Sequence, residues 1–344
     1  MTNATIGRTR LAGLAACALL GCALLGSVRP AHAQTEIRIS GQAFIDYYYQ
    51  IASPDEEEEG LNGFTYRRFR VTTDAKISDA FSARARLDAE AGTFGPKGPQ
   101  PYVKDLFLNW KVGGGHSLRM GVTPPPAFQV AEEVWVYRGL EKTILDLNRV
   151  VSSRDFGVRA NGPLGSDKVR YGVMVGNNST VFPEDDEYKR VYGQLEFYPT
   201  ENIIAAVASN WAAYDGPREN QLVFSAVAGY LTDGWRIGAE GFYELATFER
   251  VDDAVSFGGS LFGDVWFTPE WGVVGRVDLV QREGLVEPEG GLPRIGTANT
   301  TLGLAAVVFR PHEGVRMMPN VLLVKDDDVD TADVQGRFTL RFDF

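Results

Sequence analysis

The chain has 344 residues, with 34 lysines and arginines against 45 aspartates and glutamates, for a net charge of −11 at neutral pH. An acidic surplus of this size argues against nucleic acid, or an anionic lipid surface, as the main partner. The two cysteines, Cys17 and Cys22, both lie near the N-terminus, so the rest of the sequence has no thiol, no disulfide and no cysteine-built metal site.

Arg8 and Arg10 precede an apolar run from Leu11 to Val28, and Ala31-His32-Ala33 supplies small residues for cleavage. That order predicts a secretory signal peptide over 1–33 and a mature chain over 34–344. A retained anchor is one alternative. A lipoprotein cut at Cys17 or Cys22 is another, although the apolar run continues past both. Removing the leader's three arginines takes the basic count from 34 to 31 against 45 acids, a net charge of −14. Beyond the leader no run approaches the roughly 18 apolar residues of a spanning helix. If the mature chain enters a membrane it must do so as a closed barrel, because lipid satisfies no backbone hydrogen bonds.

The body reads as two-residue-periodic segments beginning near residues 36, 63, 81, 102, 117, 153, 168, 189, 203, 221, 235, 255, 271, 299, 315 and 332. In the third, Phe81, Ala83, Ala85, Leu87 and Ala89 alternate with Ser82, Arg84, Arg86, Asp88 and Glu90. Alternate strand residues face opposite sides, so one face is greasy and the other charged. The ninth and tenth segments are apolar at both parities, which leaves their facing open and fits packing against an inserted loop or a neighbouring subunit. Seven short connections rich in Gly, Pro, Asn and Asp alternate with eight longer ones, which gives sixteen strands. Short turns on the periplasmic side and longer loops outside are the asymmetry of an outer-membrane barrel. Aromatics recur beside the short turns (Phe81, Phe197, Tyr198, Tyr230, Trp235, Phe267, Trp271 and Phe309), as an interfacial girdle requires. The last segment sets Phe338, Leu340, Phe342 and Phe344 on one face and Arg337, Thr339, Arg341 and Asp343 on the other. That is the pattern of a closing strand with lipid on one side and water on the other.

Turning the polar faces inward puts Arg68, Arg70, Arg84, Arg86 and Asp88 on adjacent strands. Arg119, Arg159, Arg170, Arg236, Glu240 and Arg276 come from others. These are the predicted pore-lining residues, joined by Arg316, Arg337, Arg341, Asp74, Asp105, Glu196, Asp264 and Asp278. Four neighbouring arginines repel unless water, counter-ions or carboxylates lie between them, which points to an aqueous passage.

The third long connection, Pro124 to Ser152, follows a strand stopped by Pro124-Pro125-Pro126. It carries the candidate constriction residues Glu132, Glu133, Trp135, Arg138, Glu141, Lys142, Asp146 and Arg149. Its apolar Trp135, Leu140, Ile144, Leu145 and Leu147 suit a loop folded into the barrel better than one in open solvent. Loops of this length usually carry function.

The stretch from Phe64 through Asp88, then Val103 to Leu108, Ser117 to Gly121, Tyr137 to Lys142 and Ser153 to Val158, resembles the early strands and third loop of the phosphate-selective porin O/P family. The likeness is strongest over 60–176. It implies a sixteen-stranded antiparallel transmembrane β-barrel, trimeric, with the third outer loop folded inward as a constriction. Phosphate selectivity is not implied, since no inward lysine cluster is evident and Asp55-Glu56-Glu57-Glu58-Glu59 places an acidic run at the first outer loop. Arginines on the wall facing Glu132, Glu133, Glu141 and Asp146 predict a transverse field instead.

The expected function is passive diffusion of small hydrophilic solutes or ions through a constricted, water-filled pore in the outer membrane. The partners are the lipid bilayer and those solutes; no nucleic acid and no cofactor is expected. A surface lipoprotein or adhesin-type plugged barrel and an exported β-sandwich binding protein are the rivals. Enzymatic chemistry lacks a base: of three histidines, His32 belongs to the leader, while His116 and His312 sit on turns. The acidic runs at 52–60 and 325–330 do not match a calcium-binding EF-hand loop.

Overall fold

The computed structural model describes residues 35–90, 94–95, 98–183, 186–214, 218–249, 252–284 and 298–344. The expected leader and most of the long connection 282–298 lie outside them. Sixteen antiparallel strands form one closed barrel in which each strand pairs with its sequence neighbours. They are β1 Glu36–Ala52, β2 Asn62–Lys76, β3 Phe81–Glu90, β4 Tyr102–Gly113, β5 His116–Thr123, β6 Asp155–Ser166, β7 Val169–Gly176 and β8 Arg190–Phe197. The second half contains β9 Ile203–Ala213, β10 Arg218–Leu231, β11 Trp235–Phe248, β12 Ala254–Trp266, β13 Trp271–Glu283, β14 Thr300–His312, β15 Val315–Asp326 and β16 Asp333–Asp343. A two-residue ladder, Phe94–Gly95 with Gly98–Pro99, stands apart in the connection after β3.

The seam joins the first strand to the last, with Phe44 opposite Arg341 and Tyr47 opposite Phe338. At its end Gly41 N–H donates to the Phe344 carbonyl at 2.6 Å, and Phe344 N–H returns a bond to Gly41 at 3.0 Å. Gln42 reinforces the seam by donating to Asp343 at 2.7 Å.

Burial along the strands is the reverse of that in a water-soluble domain. On β13 the exposed side chains are Trp271, Val273, Val277 and Leu279, while Arg276 and Asp278 are buried. On β4, Leu106 and Leu108 are bare, and Asp105 is fully buried. Side chains that a closed barrel buries on its own must point inward, so the polar face is the inner one. At the short-turn ends outward aromatics stack across strand pairs: Phe81 on Trp110, Tyr230 on Trp235, and Trp271 on Phe309 with ring centres 4.4 Å apart.

Register shifts occur in several strand pairs, and two of them change which side chains face inward at the site. One, opposite Phe44 and Ile45, inserts Arg67 between Tyr66 and Arg68. The other, opposite Arg86 and Leu87, inserts Lys104 between Val103 and Asp105. An extra residue resets the parity of its strand, so Lys104 and Asp105 are both buried on the inner face.

Gly121 on β5 has φ +126°, and a Cβ there would stand 2.1 Å from the Leu106 carbonyl oxygen on β4. Since the clash is with backbone, side-chain rearrangement cannot relieve it. Gly121→Ala should therefore destabilise the barrel by about 2 kcal/mol or more. Urea unfolding followed by tryptophan fluorescence in detergent checks this; an unchanged midpoint would show that the strand pair tolerates the side chain.

Candidate functional site

The connection between β5 and β6 contains two short helices, α1 Gln129–Val134 and α2 Ile144–Leu147. Its apolar residues pack on the inner face in two clusters. Val130, Ala131, Val134, Trp135, Tyr137 and Leu140 meet Ile204, Ala206, Val227, Phe262, Val274, Leu302, Leu304, Ala306, Val308 and Met318. Ala127, Phe128, Ile144, Leu145, Val150 and Val151 meet Met174, Tyr192, Val223, Phe242 and Val280. The apolar inner positions of β9 and β10 thus have a use: they receive the loop. Trp135 lies edge-on to Phe262 with ring centres 5.1 Å apart, and its indole N–H donates to the Glu141 carbonyl at 2.8 Å. Wall glycines make room as well. A Cβ on Gly229 or Gly238 would reach within 2.6 Å or 2.5 Å of Val134.

Guanidinium groups of the wall satisfy the loop's backbone. Arg67 donates to the carbonyls of Leu140 at 3.0 Å and of Gly139. Arg337 donates to Leu140 at 3.1 Å, Arg341 to Val136 at 3.2 Å, and Arg159 to Pro124 at 3.0 Å. Arg276 donates to Lys142 at 2.5 Å while its guanidinium lies 5.0 Å from the Trp135 ring centre. In the opposite sense, Ile144 N–H donates to Glu240 at 3.3 Å. A non-helical segment held away from bulk water needs such partners for its carbonyls.

The four neighbouring arginines are separated by carboxylates. Arg68 pairs with Asp88 at 3.4 Å and with Glu90, Arg70 with Asp88 at 3.0 Å, Arg84 with Asp74 at 2.7 Å, and Arg86 with Asp105 at 3.0 Å. Lys104 joins Asp88 at 2.8 Å and Glu90, and Arg154 joins Asp105. The result is three neighbouring groups of ion pairs on β2, β3, β4 and Arg154, just before β6. Asp88 and Asp105, each fully buried, are the centres of two of them.

The other predicted wall residues are spread around the inner face. Arg119 stacks over Phe107 at 4.5 Å and donates to Thr123 at 3.3 Å. Arg170 reaches Glu196 at 4.0 Å. Arg236 pairs with Asp264 at 2.8 Å, and Arg276 with Asp278 at 2.5 Å.

On the loop, Arg138 gathers two predicted acids, Glu132 at 3.1 Å and Asp146 at 2.5 Å. Glu141 accepts the N–H of Lys142 at 2.8 Å. Glu133 and Arg149 are exposed, and Arg149 has φ +55°. The expected opposition of loop acids to wall arginines is accompanied by pairing on each side. Asp146 and Glu132 are compensated within the loop, and the β2 to β4 arginines within the wall.

Sequence reading missed Arg67, Lys104, Asp46 and Arg154. The first two depend on bulges, which the two-residue period hides. Asp46 alternates correctly on β1 and pairs with Arg67, so a stricter count of that strand would have found it.

No family model matches the sequence, and no curated protein does. Solved structures share the fold. The anion-selective porin from Comamonas acidovorans superposes with a TM-score of 0.69 at 10% identity, over 90% of this chain and 100% of that one. The outer membrane channel DcaP of Acinetobacter baumannii gives 0.65 at 11% identity, over 92% and 100%. The trimer form of OmpT, an outer membrane protein of Vibrio cholerae, gives 0.66 at 12% identity, over 91% and 100%. This chain has the sixteen-stranded barrel fold that those outer-membrane proteins share.

Proposed function

We propose that the chain is an outer-membrane porin, exported through a cleaved leader over 1–33. In this reading small hydrophilic solutes or ions diffuse passively through a water-filled pore narrowed by the connection 124–152. The observation that carries it is the inversion of burial, with charged side chains kept on the inner face of a closed barrel and bare Leu, Val, Ile and aromatic side chains outside. The neighbouring structures described as a porin and a channel support the same reading, and a trimeric neighbour supports assembly as a homotrimer. The resemblance of 60–176 to the phosphate-selective porin O/P family agrees with this class of pore, without its selectivity. A plugged scaffold is the second reading, favoured by the extent of the two apolar clusters under the loop.

Recording from the purified protein in planar bilayers separates the two. Discrete conductance steps are expected, and their absence would remove the pore reading in favour of the plug.

Trp135→Ala deletes the side chain at the centre of the first cluster. Loss of a buried tryptophan costs about 3–5 kcal/mol of packing, so the loop should detach from the wall and the single-channel conductance should rise. Equal conductance in the variant would mean that 124–152 does not set the narrowest section.

Arg70→Gln with Arg86→Gln removes two cations and leaves Asp88 and Asp105 in place. Reversal potentials in a salt gradient should shift toward cation preference. If they do not move, these ion pairs lie outside the conducting path.

A further inference from the structure

A cavity of about 550 Å³ lies against the second half of the loop, the connection before β8, and the ends of β8, β10, β11, β12 and β13 that adjoin the long connections. Its size falls within the usual range for small-ligand sites. Lys142 and Arg149 border it from the loop, and Arg190, Arg218 and Arg282 from the wall. Two carboxylates, Asp146 and Glu244, also border it, but both are engaged. Asp146 pairs with Arg138, and Glu244 accepts the Gln221 amide.

The arginines here differ from those of β2 to β4. Among the described residues none of the five cations forms an ion pair. Arg190 and Arg218 are nevertheless almost completely buried, at 2% and 4% exposure. The Nε of each has no hydrogen-bond partner. Arg190 spends one terminal nitrogen on Tyr214, at 2.8 Å, and on Gln221. Arg218 is held between rings instead, 5.3 Å from the Tyr214 centre and 5.6 Å from that of Phe248. Stacking fixes the plane of a guanidinium and leaves its N–H edge free for a bidentate acceptor. Glu244 acts on Arg190 and Arg218 only at longer range, without an ion pair, so each buried guanidinium still gains from a counter-charge that enters. The border also has an apolar side, made by Val150, Val151 and Phe182, which a bare inorganic ion would leave unused.

We propose that this cavity is a binding subsite for small organic anions, with a carboxylate on Arg218 and Arg190 and an apolar body against Val150, Val151 and Phe182. Arg149 and Lys142 contribute long-range attraction from the loop. The acidic run at Asp55–Glu59 does not oppose entry here, because it lies between β1 and β2, across the closed strand order from β8 to β11. The proposal rests on the pore reading only for the route by which the solute arrives.

Titration calorimetry of the purified detergent-solubilised protein with benzoate tests the site, and conductance of the same preparation in potassium chloride tests the pore separately. Benzoate should bind and should reduce the open-channel current. Arg218→Gln and Arg190→Gln should each weaken binding about tenfold, the loss of one charge-assisted contact. Arg149→Gln, on an exposed loop position that cannot disturb the barrel, should weaken it about threefold by removing one long-range charge. Each variant should still give channel steps in chloride, which shows that it has folded. Conducting protein that binds no benzoate overturns the subsite and leaves the pore standing. Protein that binds benzoate without conducting keeps the subsite and removes the pore. Inorganic phosphate binding more tightly than benzoate would overturn the organic part of the assignment.

Discussion

A strand with lipid on one side has no neighbour but another strand, and every other feature of this molecule follows from that. An unpaired edge would leave a row of N–H and carbonyl groups facing hydrocarbon, at several kcal/mol for each group by general estimates. The chain removes both edges by pairing β1 with β16, and the end of the last strand, Phe344, is tied by two backbone bonds to Gly41. Closure also fixes what each side chain meets. Leu261 and Leu279 point out because their neighbours in sequence, Ser260 and Asp278, hydrogen-bond to one another inside.

Packing a segment against the inner wall then raises a problem, because a loop without regular structure brings carbonyls that are shielded from water and unpaired. The wall answers with arginine. Arg67, Arg159, Arg276, Arg337 and Arg341 come from strands spread round the barrel and all donate to carbonyls of one connection. Arginine suits this better than lysine, since its planar fork holds its donors in a fixed geometry. Burial of Trp135, Leu140, Ile144 and Leu145 adds about 2 kcal/mol for each side chain. Polar and apolar anchoring act together on the connection, from Pro124 to Val151.

Strand count, strand starts and the inner face were legible because each depends on a period of two that sixteen segments repeat. Where that period is interrupted the sequence misleads. Arg67 and Arg68 read as residues on opposite faces, yet a bulge lets Arg67 reach the loop while Arg68 joins Asp88 and Glu90. Lys104 was hidden in the same way, and with it the one lysine of the ion pairs around Asp88. The double-sided apolarity of Ile204, Ala206 and Val227 was visible but ambiguous. It takes the position of Val130 and Val134 in space to explain it. Pairing was beyond reach for a different reason: which carboxylate neutralises which guanidinium depends on register between strands, and residues such as Arg154 and Asp105 are 49 positions apart.

The two sides of the inner face treat the same residue type in opposite ways, and the difference is one of supply. On β2 to β4 arginines alternate with aspartates and glutamates, so Arg68, Arg70, Arg84, Arg86 and Lys104 each find an acid one strand away and this part of the wall is nearly self-neutral. On β8 and β10 the register partners of Arg190 are Gly176 and Ala212, and that of Arg218 is Phe248. No carboxylate is opposite either of them, and aromatic rings stand where an acid would. A charge compensated by its own wall has little left to offer a passing ion. One met at hydrogen-bond range by ring faces and an amide, with Glu244 acting only from further off, keeps more of its field. The distribution of acids, more than that of arginines, therefore decides which part of this interior can hold an anion.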